Sequence, residues 1–284
     1  MAEGEDGAAL MRLMRARDRD RFLTTLFAPA DARDSLLALY AFNYEIARAR
    51  EMVREPVLGQ MRLQWWRESI AAIYEGGPVR RHEVVEPLAA AIRGRGLPRT
   101  HFDRLIDARE ADFLAEPPAD LAALEAYAEA TGAPLVLLAL ETLAVRGKAA
   151  AEAGRALGTA YALAGLLRAV PFHAAAKRLY LPSDRLAARG LDPERTIFAQ
   201  KGAPALSEVA AEIAARARAH LDVARAQRRD LPRRAVPALL PALVASRALR
   251  RLERAGHDPF APELRRQDGG LGLALALAAA RGRY

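Results

Sequence analysis

The chain has 284 residues, 52% of them apolar, which is ample for a buried core and excludes a wholly disordered protein. It contains no cysteine, so disulfides, thiol nucleophiles, cysteine-ligated zinc and iron–sulfur clusters are all excluded. The net charge is +8, but only Lys148, Lys177 and Lys201 among the 43 basic residues are lysines; this arginine excess reads as compositional bias and weakens a nucleic-acid reading of the charge.

Apolar residues recur at helical spacing almost throughout, and strand-favouring residues are sparse, so the sequence predicts an all-α protein. The opening MAEGEDGAAL lacks the apolar core of a secretory signal, and no leader is expected there. Residues 1–19 read as an N-terminal extension, followed by one domain over 20–284. A first long helix opens near Asp31, after Pro29, and is expected to run until Pro56. Further helices are predicted over 58–74, 84–93 and 100–113, divided by Gly76-Gly77-Pro78 and by Gly94, Gly96 and Pro98. Asp120 is a candidate N-cap for a helix to Thr131, and Gly132 with Pro134 predicts a kink or break before the apolar LVLLALETLAV. The next helix, 149–170, should stop at Pro171, and 172–204 should be loop with one short helix. Helices over 207–229 and 236–255 and a short terminal one after Gly269-Gly270 complete the chain. The longest unbroken apolar run, Leu271 to Ala280, reaches about half of the roughly 20 residues a spanning helix needs, so membrane contact is expected to be peripheral at most.

The histidines, His82, His101, His173, His220 and His257, never stand three or four apart, which excludes a helical histidine pair for zinc. No phosphate loop of the Walker type and no Gly-x-Ser-x-Gly elbow is present. Carboxylates at helical spacing remain: Asp103, Asp107 and Glu110 form one stripe and Glu51 and Glu55 another, and either set suits a hard cation such as Mg²⁺. The plainer reading is a solvated acidic face balanced by Arg99, Arg104 and Arg109, with Glu55 at a frayed end before Pro56. Ten arginines between 216 and 251 form a belt suited to anionic lipid, an acidic partner or plain solvent. Few aromatic residues interleave with it, so nucleic acid is the weakest candidate partner.

Three stretches then come together. LLALYAFNYEIARARE resembles the first signature of the squalene/phytoene synthase family, LQWWRESIAAIYEGG the helix after it, and LGTAYALAGLLRAVPFHAAAKRLYLPSDRLAARGL the second signature. The resemblance implies one compact isoprenoid-synthase-like helical bundle around a central cavity, lined by the facing sides of 36–51, 134–145 and 155–170. In the family's enzymes two Asp-rich clusters hold Mg²⁺ against a prenyl diphosphate. Here the first pair falls on Ala47 and Glu51, with Arg48 where a further Asp is usual, and the second on Ala169 and His173. The Gln and Asn before the second pair fall on Ala162 and Gly165. Glu51 alone keeps a good donor for a hard cation, so neither a metal nor another cofactor is expected.

LLRAVPFHAAAKRLYLP, IDAREADF and MRLQWWRESIAAIY resemble, more narrowly, the branch of the family that contains the mitochondrial assembly factor for respiratory complex I. That branch reads Leu-Arg-Ala-x-Pro-x-His where enzymes read Leu-Arg-Asp, so Arg168, Pro171 and His173 form a replacement motif. The resemblance implies a non-catalytic protein that supports complex I assembly, contacts a complex I subunit or assembly intermediate, and binds an isoprenoid or lipid chain. Its expected location is the cytoplasm, at the inner face of the respiratory membrane. Tyr40, Arg48, Arg168, His173, Arg178 and Tyr180 are the candidates for phosphate or head-group binding. Two alternatives stay open: an active Mg²⁺-dependent prenyltransferase with its metal displaced to Glu51 and Glu55 or to Asp103, Asp107 and Glu110, and a peripheral-membrane or partner-docking module.

Overall fold

The structure, a computed structural model, describes residues 2–53, 55–114, 116–265 and 268–284, with the side chains of 2–7 left aside. Among the described residues there is no strand, and the helices are α1 (Ala2–Arg17), α2 (Arg19–Thr25), α3 (Ala30–Ala47), α4 (Pro56–Tyr74), α5 (Val85–Arg95), α6 (Arg99–Ala108), α7 (Leu121–Thr142), α8 (Lys148–Arg168), α9 (Val170–Ala175), α10 (Ser183–Ala187), α11 (Pro204–Ala226), α12 (Val236–Leu239), α13 (Pro241–Arg254) and α14 (Leu271–Ala280). Local chemistry sets several of the starts. Asp18 accepts the Arg21 N–H at 3.1 Å to open α2, and Asp120 accepts the Ala123 N–H at 2.8 Å to open α7. Pro56, Pro204 and Pro241 stand in first turns, where a missing N–H leaves nothing unpaired.

The neighbouring helices α7 and α8 form the centre, with α3 and α6 against α7 and α11 and α13 against α8. On the α3 side an edge-to-face aromatic cluster ties three helices together: Phe42 meets Trp66 at 5.3 Å and Phe102 at 5.4 Å between ring centres. The residues set apart in the sequence as an extension include α1, whose Leu10 and Met14 are fully enclosed in the core beside α3.

Four sequence-based expectations differ from the structure. The first long helix ends at Ala47 instead of running to Pro56, because the chain turns at once: the N–H groups of Glu51 and Met52 both donate to the Arg48 carbonyl. Glu55, restricted by the proline after it, is extended. No break occurs at Gly132 and Pro134; α7 is one helix of 22 residues with Pro134 buried inside it. The glycine serves a close crossing there, since a Cβ on Gly132 would sit 2.1 Å from the Gly158 carbonyl oxygen of α8. Pro171 opens α9 instead of ending the chain's helical course, and the helix expected over 236–255 is two, α12 and α13, divided at Pro241. By length and composition α7 is apolar enough to cross a bilayer, but its hydropathy is that of a core helix, with Leu135, Leu138, Ala139 and Leu140 buried.

Candidate functional site

The turn after α3, the middle of α7, and the second half of α8 with α9 enclose a cavity of about 260 Å³. Its wall includes Tyr40, Asn43, Ala47 and Glu51 on one side, Thr131, Gly132, Leu135 and Val136 on another, and Tyr161, Ala162, Gly165, Ala169 and His173 opposite. All six positions at which the family resemblance places metal-site donors, Ala47, Glu51, Ala162, Gly165, Ala169 and His173, therefore face one space. The α7 contribution lies at 131–136, earlier than the expected 134–145, because the Gly132–Gly158 crossing brings that part of α7 closest to α8.

Asp112 is the polar hub of one end. Its Oδ1 accepts the hydroxyls of Tyr127 at 2.5 Å and Tyr180 at 2.9 Å. Arg109 donates to the Tyr127 oxygen at 3.2 Å and lies 3.5 Å from Asp112 Oδ2. Burial pushes both tyrosines above their ordinary range, and the Asp112 carboxylate adds to the effect, so both remain donors at neutral pH. The His173 ring lies 4.5 Å from the Tyr180 ring. Burial, and then the Arg178 charge, pull its imidazole down to about 4, which leaves it neutral at pH 7. At the other end Arg21 lies 4.7 Å from the Tyr161 ring centre and 5.7 Å from that of Tyr40, and its Nη1 is 2.6 Å from Asp18 Oδ2. Burial lifts the Tyr161 hydroxyl to about 12. Arg178 adds another cation to the wall.

Of the candidate head-group residues, Tyr40, His173, Arg178 and Tyr180 line this cavity. Arg48 turns to the Tyr44 hydroxyl at 3.0 Å and to Glu45 at 3.7 Å. Arg168 pairs with Asp20 at 2.7 Å and lines a separate groove between α8 and α13. Glu51 lines the cavity whereas Glu55 does not. The stripe Asp103, Asp107, Glu110 stands away from it: Arg67 bridges Asp107 at 2.7 Å and Glu110 at 2.8 Å, and Arg99 holds Asp103 at 3.3 Å. The sequence reading passes over Arg21, Asp112, Tyr127 and Tyr161, and takes Arg109 only as a balance for the acidic stripe. Asp112, two residues past Glu110, falls on the opposite side of a helix from the acidic stripe, and it lies in a 3₁₀ turn over Arg109–Phe113. The Arg109-x-x-Asp112 spacing was the one available signal.

The donor set decides whether Mg²⁺ fits. Glu51 and Asp112 are the carboxylates in the wall, and Asp112 already accepts two tyrosines beside Arg109. Among the described residues no three His, Cys, Asp or Glu side chains converge in a way that suits a metal ion. An octahedral magnesium site bridging a diphosphate needs carboxylate oxygens from facing helices, and these residues do not fit it.

Comparison with known proteins agrees with this architecture. The chain is 33% identical over its full length to the NADH dehydrogenase (ubiquinone) complex I assembly factor 6 of Bos taurus, covering 84% of that protein. It is 31% identical over 214 residues to a presqualene diphosphate synthase of Rhodopseudomonas palustris, covering 74% of each chain. In fold it resembles a dehydrosqualene synthase solved with a ligand (TM-score 0.83, 15% identity, 98% of this chain and 96% of that one). A squalene synthase of Alicyclobacillus acidocaldarius is also similar (TM-score 0.77, 22% identity, 90% of this chain and 95% of that one). Residues 14–269 match the squalene/phytoene synthase family, and with its all-α isoprenoid synthase fold and its cavity at the expected helix crossing, the chain belongs to that family.

Proposed function

We propose that the protein performs no prenyl transfer and instead supports the assembly of respiratory complex I, with the cavity retained to hold the phosphate-bearing end of an isoprenoid or lipid. One observation carries this reading: the positions that would grip magnesium converge on the cavity but are alanine, glycine and histidine at five of six places. Separating a diphosphate from an allylic cation needs a compensating field worth several kcal/mol, which the family's enzymes draw from bound metal. The side chains present can bind a phosphate without supplying that field. Arg21 and Arg178 in the wall offer positive charge, and the Asp112 hub fixes Tyr127 and Tyr180 in place. Neutral His173 adds a hydrogen-bonding edge and no charge.

The assembly role draws its support from similarity to complex I assembly factors over the whole chain. On this reading the protein works in the cytoplasm, against the inner face of the respiratory membrane, with a complex I subunit or assembly intermediate as its client. Deleting the gene should lower the amount of assembled NADH dehydrogenase on a native gel, and complementation with the intact gene should restore it. Wild-type levels of the assembled complex in the deletion strain would contradict the role.

A further inference from the structure

The terminal helix α14 reads LGLALALAAA and carries no polar side chain. Its inner face, through Leu271 and Leu275, packs with Leu23 of α2, with Phe27 in the turn after it, and with Val236, Leu240 and Val244. Its outer face presents Leu273, Ala276, Leu277 and Ala280 at helical spacing, and Leu273 is 70% and Leu277 45% exposed. A helix that is apolar all round is normally enclosed. At ten residues this one is too short to span a bilayer.

Cations stand at both ends of α14, Arg247 beside Gly270 and Arg233 beside Gly282. Arg247, Arg250, Arg251 and Arg254 follow one another along one side of α13. Beside Leu271 a groove of about 250 Å³ opens between α13 and α8, with an apolar floor and a rim of five arginines against Asp20 and Asp268. Both aspartates are already committed, Asp20 to Arg168 at 2.7 Å and Asp268 to Arg247 at 2.5 Å. Beyond Asp268 the sequence has no acidic residue, and Arg281 and Arg283 follow the helix. The belt of arginines on α11 is different, for Arg216 and Arg218 are latched to Glu125 and Glu253 at 2.8 Å each. Leucines without a cover, edged by arginines in excess of their acids, complement a layer that is anionic at its surface and hydrocarbon beneath.

We propose that the outer stripe of α14, with the arginines of α13, docks the protein onto an anionic phospholipid bilayer as a peripheral contact. The leucines enter the acyl boundary and the guanidinium groups meet lipid phosphates. This docking goes beyond the assembly reading by naming the surface that meets the membrane, and its test does not depend on that reading.

Flotation of the full-length protein with phosphatidylcholine vesicles, with and without phosphatidylglycerol, tests it. The protein should float with the anionic vesicles only, and less at high salt. Leu273→Asp with Leu277→Asp should abolish flotation. Arg250→Glu with Arg254→Glu should weaken it by roughly twentyfold or more, since each arginine near an anionic surface contributes about fivefold. All four side chains are exposed or half-exposed, so the thermal midpoints should match wild type. Met61→Asp, which alters an equally exposed methionine on α4, should change nothing. Equal flotation with both vesicle types, no flotation with either, or undiminished binding of the Leu273/Leu277 variant would overturn the proposal. If docking fails while gene deletion still lowers assembled NADH dehydrogenase, only this proposal falls.

Discussion

His173 shows how far a single residue's role follows from its surroundings. Its place in the cavity was legible, because the motif order aligned it with a metal-binding aspartate. Its charge state was not, since that depends on burial and on Arg178 being folded back beside it. With its folded value near 4 against an ordinary 6.5, the unfolded chain takes up a proton between those pH values that the folded chain refuses. Stability therefore falls as pH drops from 6.5 towards 4, by at most about 3 kcal/mol, and is fully present above 6.5. His101 shifts in the same direction, so the test is a difference. In urea unfolding at several pH values, His173→Gln should lose less stability than wild type across that window. Parallel losses would show that the imidazole is solvated. The Asp112 hub illustrates the opposite limit: Asp112, Tyr127 and Tyr180 are far apart in the chain and share no period, so only the fold brings them together.

At the scale of elements, helical periodicity located nearly every long helix, whereas proline and glycine signals were ambiguous. Gly132 and Pro134 carry the composition of a helix break, but the glycine is there for the contact with Gly158, which no local rule could reveal. That contact makes a sharp prediction. A methyl on Gly158 would lie 2.4 Å from the Ala133 backbone, and Gly158→Ala should destabilise by about 1–3 kcal/mol or more as the two central helices are forced apart. A methyl on Gly165, two turns on, meets nothing within 4 Å, and Gly165→Ala should stabilise by about 0.5–1 kcal/mol through lower chain entropy. Thermal melts of the two variants check this, and equal midpoints would mean the helices do not cross so closely. The outer face of α14 was equally hidden in the sequence, because an apolar run reads the same whether a core or a bilayer covers it.

The molecule as a whole has the shape of an isoprenoid synthase, with a central helix pair and a cavity beside it that tyrosines and arginines line. What its residues lack is a small number of oxygen donors, at five of the six positions where the resemblance places metal ligands. That difference was visible in the sequence, since ligand loss is a matter of residue identity once the signatures are aligned. Where carboxylates from elsewhere in the chain stand was not, and in the fold Asp103, Asp107 and Glu110 pair with Arg67 and Arg99. The most direct measurement is incubation of the purified protein with farnesyl diphosphate and Mg²⁺, followed by mass spectrometry of the extracted lipids. A scaffold without metal ligands should yield no coupled prenyl product and leave the diphosphate intact; Mg²⁺-dependent formation of a coupled product that disappears in Glu51→Gln would contradict it.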